Sequence, residues 1–226
     1  MLLLALDTAT TTCSAALLRD DRVLAEVHLH LPRVHAQHLT PLVDDLLTRT
    51  EQAPADVDAV AVSMGPGSYT GLRIGVSTAK GWALAHDAAL VGVPTLEALA
   101  AQVRPWGRPG DVVCALLDAR RDDVYAAAYR LPPSPEETLD LHAGPEALDV
   151  ADVPTTLRLP ADAGTVWLLG DGTSKADPPS APTAPDRSAL FPPSTHVPPP
   201  CGSAAVLASA CLATRRTTWP CLNRCT

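Results

Sequence analysis

The first part of the chain alternates between apolar runs and short polar turns. The apolar run Leu2–Leu6 predicts a buried strand that ends at Asp7. Two further apolar segments, 14–18 and 23–29, are separated by four charged residues, which is typical of two strands joined by a turn. We therefore expect three consecutive strands that pair antiparallel as a meander.

The pattern then changes to the spacing of helices. Apolar residues recur at positions i, i+3, i+4, i+7 and i+8 of one face, namely Leu39, Leu42, Val43, Leu46 and Leu47. Thr40 and Pro41 either begin this helix or lie inside a helix that starts earlier and bends at the proline. Strands and helices then alternate over the ranges 57–63, 72–86, 89–93 and 95–103. This alternation predicts an α/β core.

One arrangement of strands occurs twice in the sequence. The arrangement consists of a strand, an acid at the end of that strand, and an alanine-rich strand that returns alongside it. It occurs first around Asp7 and again around Asp118, which lies between the strands Val112–Leu117 and 124–130. Two copies in the same order predict a duplicated mixed β-sheet. We expect an N-terminal lobe over residues 1–105 and a second lobe over residues 106–176.

The last fifty residues lack this periodicity. Ten of the 23 prolines lie between Pro178 and Pro220, in a segment with too little apolar surface to offset the entropy lost on ordering. Residues 177–226 are therefore expected to form a poorly ordered tail. A second hypothesis is that a single-base slip displaces the reading frame somewhere before Trp219, in which case the four late cysteines carry no chemistry.

Composition narrows the class of protein. The 226 residues are 46% apolar and carry a formal net charge of −8, which argues against disorder and against an autonomous nucleic-acid-binding protein. No apolar run approaches the ~18–20 residues of a membrane span. The start of the chain lacks the basic region of a secretory signal, so a cytoplasmic protein with reduced thiols is expected.

The clearest local motif is a glycine-rich turn between a strand and a helix. Gly65 and Gly67 permit positive φ angles and close backbone approach, and the start of the following helix presents free N–H groups to an anion. The spacing matches neither a P-loop nor the GxGxxG fingerprint of dinucleotide-binding proteins. A tight turn that leads into a helix is the alternative to an anion site.

The longer string around this turn resembles the TsaB (YeaZ) family. The similarity is carried by the segments 64–75, 79–81, 90–99, 6–9, 35–39 and 117–120, and it covers roughly residues 1–130. It implies a two-lobed fold of the actin, Hsp70 and sugar-kinase (ASKHA) type. It also implies a role in making the threonylcarbamoyl modification of adenosine 37 in tRNAs that read ANN codons.

The resemblance further implies a scaffold and no catalytic residue. A member of this family pairs with a TsaD-like transferase, its paralogue, and a TsaE-like ATPase joins them in a ternary complex. Alone, the chain is expected to form a homodimer, and tRNA is reached only through the complex, with no membrane involved. The chain is expected to hold no cofactor or metal of its own, since ATP and metal belong to the partner subunits.

The positions of a nucleotide site are present but altered. Where ATP-binding relatives of the fold hold phosphate and magnesium, this sequence has Asp7, Thr8, Gly65, Gly67 and Asp118. Ala9 and Arg120 replace a turn glycine, and a Cβ there obstructs close approach of a phosphate. His35 and His38 lie three residues apart, whereas a metal pair on a helix is expected four apart, so they are interpreted as part of a solvated helix start.

The helix over 72–86 has an unusually wide apolar arc beside a narrow polar strip. Either this helix is buried between its own sheet and its neighbours, or it binds a partner that its glycines allow to approach closely. The family resemblance favours the second interpretation. The predicted partner interface comprises Leu72, Arg73, Val76, Ala79, Lys80 and Ala83.

Two other functions are alternatives to the scaffold. One is an autonomous ATP-dependent kinase or ATPase of the same superfold, which the altered turn glycines disfavour. The other is a glycoprotease-like peptidase, for which the sequence offers neither a metal pair nor a nucleophile with its base.

Overall fold

A computed structural model describes residues 1–20, 22–31, 35–134, 137–159 and 164–176, and the backbone of 195–196. The chain divides into two compact units, with the boundary between Ala98 and Leu99. The lobe boundary at residues 105 and 106 stays a prediction. The expected tail and the hypothesis of a displaced frame concern residues 177–226, which lie outside the described residues apart from 195–196.

The first unit is built on a five-stranded mixed sheet. Its strands are β1 (Leu2–Asp7), β2 (Cys13–Arg19), β3 (Arg22–Leu29), β4 (Ala59–Ser63) and β5 (Ala89–Val93). They lie in the order β3-β2-β1-β4-β5. The first three pair antiparallel, and β4 joins β1 and β5 in parallel. The predicted meander is confirmed.

Helices α1 (His35–Arg49) and α2 (Tyr69–His86) accompany this sheet, and residues Pro54–Asp56 form a 3-10 turn. Helix α3 (Thr95–Ala101) runs across the boundary between the units. Helix α1 starts earlier than Thr40 and contains Pro41, so the second of the two alternatives is correct. Helix α2 begins three residues before the predicted start at Leu72, after the N-cap Ser68, whose Oγ accepts a hydrogen bond from the Gly71 amide at 3.2 Å.

The core of the first unit forms where α1 and α2 cover one face of the sheet. Alternate residues of the central strands supply this face, so the hydrophobic effect holds the helices against the sheet. Every residue of β1 is buried, because the opposite face of the strand is also covered. This explains why β1 is a continuous apolar run rather than an alternating one. The face under the helices includes Leu4, Leu6, Leu17, Val60, Val62, Leu39, Val43 and Leu46.

The second unit repeats the sheet. Its strands are β6 (Val112–Asp118), β7 (Asp123–Arg130), β8 (Asp140–Asp149), β9 (Val166–Leu169) and β10 (Thr195–His196), in the order β10-β9-β6-β7-β8. Its described helices are short, α4 (Val153–Thr156) and α5 (Thr173–Ala176), and Val150–Asp152 form a 3-10 turn.

The two sheets have the same connectivity when read from their central strands. Strand β6 pairs antiparallel with β7 and parallel with β9, as β1 does with β2 and β4. The predicted duplication is therefore confirmed, and it extends to all five strands. The sequence did not predict β8, because Gly144 and Pro145 interrupt its alternation of apolar and polar residues.

Candidate functional site

The turn after β1 uses its own polar groups internally. Asp7 and Thr8 are both buried. The Asp7 carboxylate accepts a hydrogen bond from the Ala9 amide at 3.0 Å, and the Thr8 hydroxyl donates to the Gly71 carbonyl at 2.8 Å. The two side chains predicted as nucleotide-site positions thus hold the turn against the start of α2.

The glycine loop packs against the same turn. The Ser68 amide donates to the Ala9 carbonyl at 2.6 Å. A Cβ added at Gly67 would lie 3.0 Å from the Ala9 Cβ, so the two segments are already in contact. Gly65 has a φ of +109°, and its amide donates to the Thr95 hydroxyl at 3.1 Å. The structure therefore brings the predicted loop and turn positions of the first unit together.

Two glycines of α2 make this packing possible. Gly71 and Gly75 are buried, and a Cβ added at either one would overlap an oxygen of Thr8. They lie four residues apart, which places them on one face of the helix. The close approach that these glycines permit is therefore made by the chain's own turn, and not by a partner helix as the sequence suggested.

Two residues of the predicted partner interface, Ala79 and Ala83, are buried rather than exposed. Ala79 and Ala83 are 0% and 8% exposed, and α2 packs on the first sheet along this side. The prediction that Ala79 and Ala83 contact a partner is wrong, because their side chains face their own sheet. Leu72 and Val76 are partly buried, and Arg73 and Lys80 are exposed. For these four residues the interface stays a prediction.

The exposed side of α2 carries a continuous row of side chains, here called the α2 stripe. Two large apolar residues mark its ends, because Tyr69 is 74% and Leu84 is 86% exposed. The Arg73 guanidinium lies 5.6 Å from the centre of the Tyr69 ring, within the range of a cation–π contact. The sequence missed Tyr69 because the predicted helix began too late. The stripe comprises Tyr69, Arg73, Ser77, Lys80 and Leu84.

The second unit has a corresponding acid at the end of β6. Asp118 accepts hydrogen bonds from the Arg120 amide at 2.6 Å and from the Lys175 ammonium at 2.7 Å. The bond from Lys175, and then that from Arg120, holds the pKa of Asp118 below its usual range. Lys175 also donates to the Asp123 carbonyl at 2.7 Å. Sequence reasoning missed Lys175, which lies three residues after the Gly-Asp-Gly segment 170–172.

Metal-binding and thiol chemistry find little support among the described residues. The His35 ring lies 3.1 Å from the Thr10 carbonyl, and no group of three His, Cys, Asp or Glu side chains in the described ranges could hold a metal. Cys13 and Cys114 are buried free thiols. Burial, with a smaller contribution from Asp7, raises the pKa of Cys13 to about 11, and burial alone raises the pKa of Cys114 to about 12.

Comparison with known proteins places the chain in a family. The family model described as TsaD, tRNA N6-adenosine threonylcarbamoyltransferase, matches residues 24–166. The structure of YeaZ from Pseudomonas aeruginosa is 32% identical, with a TM-score of 0.76, and the match covers 96% of this chain and 93% of that one. The chain belongs to the TsaB (YeaZ) family. The duplicated α/β fold expected for this family is thereby confirmed.

Curated members of the TsaB family match a shorter part of the chain. The tRNA threonylcarbamoyladenosine biosynthesis protein TsaB of Escherichia coli is 43% identical over 131 residues, which are 58% of this chain and 55% of that protein. The chain spans about half the length of the first curated relatives it matches. Component A of the (R)-2-hydroxyglutaryl-CoA dehydratase from Acidaminococcus fermentans, at 9% identity and a TM-score of 0.55, shares the fold alone.

No helix within the described part of the chain is long and apolar enough to cross a membrane.

Proposed function

We propose that this chain takes part in the synthesis of threonylcarbamoyladenosine in tRNA, as a non-catalytic subunit that binds a TsaD-like transferase. The names of its curated relatives and the family model that it matches support the pathway. The target is adenosine 37 of tRNAs that read ANN codons. ATP and metal are bound by the partner subunits, and a TsaE-like ATPase joins the pair.

The observation that carries the partner-binding role is the α2 stripe. Tyr69 and Leu84 are the most exposed large apolar side chains in the described residues, and both lie on this one helix face. Large aromatic and aliphatic side chains at this level of exposure are typical of protein interfaces. The cation between them, Arg73, is oriented by Tyr69 and suits a carboxylate on the partner.

The helix that presents the stripe is rigidly held. Its first turn is capped by Ser68, and its buried face contacts Thr8 through Gly71 and Gly75. A preorganised surface loses little conformational entropy on binding, which favours affinity. The same surface, exposed when the chain is alone, is proposed to form the homodimer, so that TsaD and a second copy compete for α2.

The contacts that the altered nucleotide-site residues make within the chain support the non-catalytic role. A phosphate that approached the glycine loop of the first unit would have to displace the hydrogen bond from the Ser68 amide to the Ala9 carbonyl. It would also meet the Ala9 side chain that lies against Gly67. The loop therefore acts as a structural turn, and the Asp7 carboxylate is occupied by the backbone of its own turn.

The test is complex formation with the TsaD protein of the same organism, measured by size-exclusion chromatography with light scattering. The wild-type chain is expected to form a 1:1 complex. Leu84→Arg is expected to abolish it, because it places a charge in the apolar end of the interface. The matched control is Leu141→Arg, a 49% exposed leucine of the second unit, which should bind normally.

Lysine labelling offers a second readout in the same experiment. Lys80 and Lys175 are the two lysines of the sequence. Lys80 is exposed on the α2 stripe, whereas the side chain of Lys175 is 18% exposed and ion-paired. TsaD should protect Lys80 from acetylation and leave the slow reaction of Lys175 unchanged. A wild-type chain that forms no complex would reject the proposed function, and an unaffected Leu84→Arg variant would reject the stripe.

A further inference from the structure

The turn between β6 and β7 presents two arginines in an unusual backbone conformation. Arg120 and Arg121 have φ angles of +75° and +49°, in the left-handed region that favours glycine and asparagine. The turn is closed by a hydrogen bond from the Asp123 amide to the Arg120 carbonyl at 3.1 Å. Two adjacent arginines in this conformation strain the backbone. Turn formation therefore does not explain why these two positions hold arginine.

Both arginines are exposed, and the charge of Arg120 is one of the smaller causes that lower the pKa of Asp118. The Arg120 amide donates to the Asp118 carboxylate at 2.6 Å, which leaves the Arg120 guanidinium outside that bond. Among the described residues, no ion pair within 4.0 Å joins either guanidinium to a carboxylate. Asp118, one of the acids of this turn, is paired with Lys175 at 2.7 Å. The turn therefore holds two guanidinium groups ready for an external anion.

We propose that Arg120 and Arg121 contact the phosphate backbone of tRNA in the assembled complex, which rests on the proposed function. Guanidinium groups bind phosphate through several directed N–H donors, and such contacts need no shaped pocket. Arginines that anchor protein interfaces lie instead in apolar, fully buried patches. The residues around this pair are Asp118, Asp122 and Asp123, all exposed, so the surroundings are polar.

The charge of the molecule is consistent with a local contact of this kind. The formal net charge of −8 disfavours long-range attraction of RNA, so the chain is not an autonomous RNA-binding protein. The charges of the turn and of Lys175 cancel. The cations are Arg120, Arg121 and Lys175, and the carboxylates are Asp118, Asp122 and Asp123. In a complex that binds tRNA mainly through TsaD, these two contacts would add affinity for tRNA, although this chain does not bind RNA on its own.

The test uses the double variant Arg120→Asn/Arg121→Gly in the complex with TsaD of the same organism. Both replacements suit the left-handed conformation, so the melting temperature of the chain should rise or stay unchanged. The affinity for tRNA should fall about tenfold near physiological salt, and the slope of log K against log salt should become shallower by about 1 for each phosphate that is no longer neutralised. The control is Arg108→Ser, which replaces an exposed arginine of the same unit. This variant should leave both the affinity for tRNA and the salt slope unchanged.

The outcomes separate this inference from the function on which it rests. An unchanged salt slope in a complex that still forms overturns the phosphate contact alone. A variant that folds but no longer binds TsaD identifies a protein contact instead and also overturns the phosphate contact. A wild-type chain that binds no TsaD overturns both the proposed function and this inference.

Discussion

The two units share a sheet but stabilise the turn after its central strand in different ways. In the first unit the acid of this turn, Asp7, is buried, and the turn packs on an 18-residue helix through Gly71 and Gly75. In the second unit the corresponding acid, Asp118, is exposed and held by Lys175 from a four-residue helix. The duplicated backbone has kept its connectivity, whereas packing in one copy is replaced by an ion pair in the other.

The glycines after the fourth strand show what the two copies have retained. Gly65 and Gly170 have φ angles of +109° and +107°, so each chain segment turns in the same way as it leaves its sheet. In both units a later glycine, Gly71 or Gly172, lies against the strand-end segment. The turn geometry is therefore common to both copies, and only the first unit follows it with a long described helix that can present a surface.

The largest expected effect comes from adding a methyl group where the helix meets the turn. A Cβ at Gly71 would overlap the Thr8 carbonyl, a backbone atom that cannot rotate away. We expect Gly71→Ala to destabilise the first unit by about 3 kcal/mol, the upper end of the overpacking range. Urea denaturation followed by circular dichroism measures this change.

The same helix supplies the matched control. Gly81 is exposed, and nothing lies within 4 Å of a Cβ added there. Gly81→Ala should therefore raise stability by ~0.5–1 kcal/mol, because alanine loses less backbone entropy in a helix. If both alanine variants changed stability by the same amount, the contact between α2 and the Asp7 turn would not be the reason for glycine at residue 71.

A smaller effect is expected when the hydrogen bond between turn and helix is removed without a change of shape. Thr8→Val keeps the branched side chain but leaves the Gly71 carbonyl without the hydroxyl that donates to it at 2.8 Å. The expected loss of stability is about 1 kcal/mol, because one buried hydrogen bond is lost while the Gly71 carbonyl keeps its place in the hydrogen bonding of the helix. Thr8→Ser retains the hydroxyl and should recover most of that stability, as measured by the same denaturation experiment.

The sequence predicted the first seven strands and the duplication because these depend on apolar runs and on the order of elements, but it did not predict β8, β9 or β10. It predicted the faces of α2 less well. The helical pattern shows that Ala79 and Ala83 share a side with Leu72, but small residues suit both a close-packed sheet and a partner helix. Which of the two applies depends on a contact distant in sequence, between Thr8 and the glycines of α2. Lys175 was missed for the same reason, because three further strands separate it from its partner Asp118 along the chain.

The smallest expected effect concerns the ion pair of the second unit. Lys175→Gln removes the ammonium that lowers the pKa of Asp118, yet this carboxyl is exposed, so the loss of stability at neutral pH should stay below about 1 kcal/mol. Because the pKa of Asp118 is lowered on folding, its contribution is present above the ordinary value of 3.8 and disappears as the pH falls below it. Wild type and Lys175→Gln should therefore differ at pH 7, and this difference should shrink as the pH falls below 3.8 in thermal unfolding. A difference that persists unchanged at pH 3 would mean that Lys175 stabilises the unit through its bond to the Asp123 carbonyl, which does not titrate, rather than through Asp118.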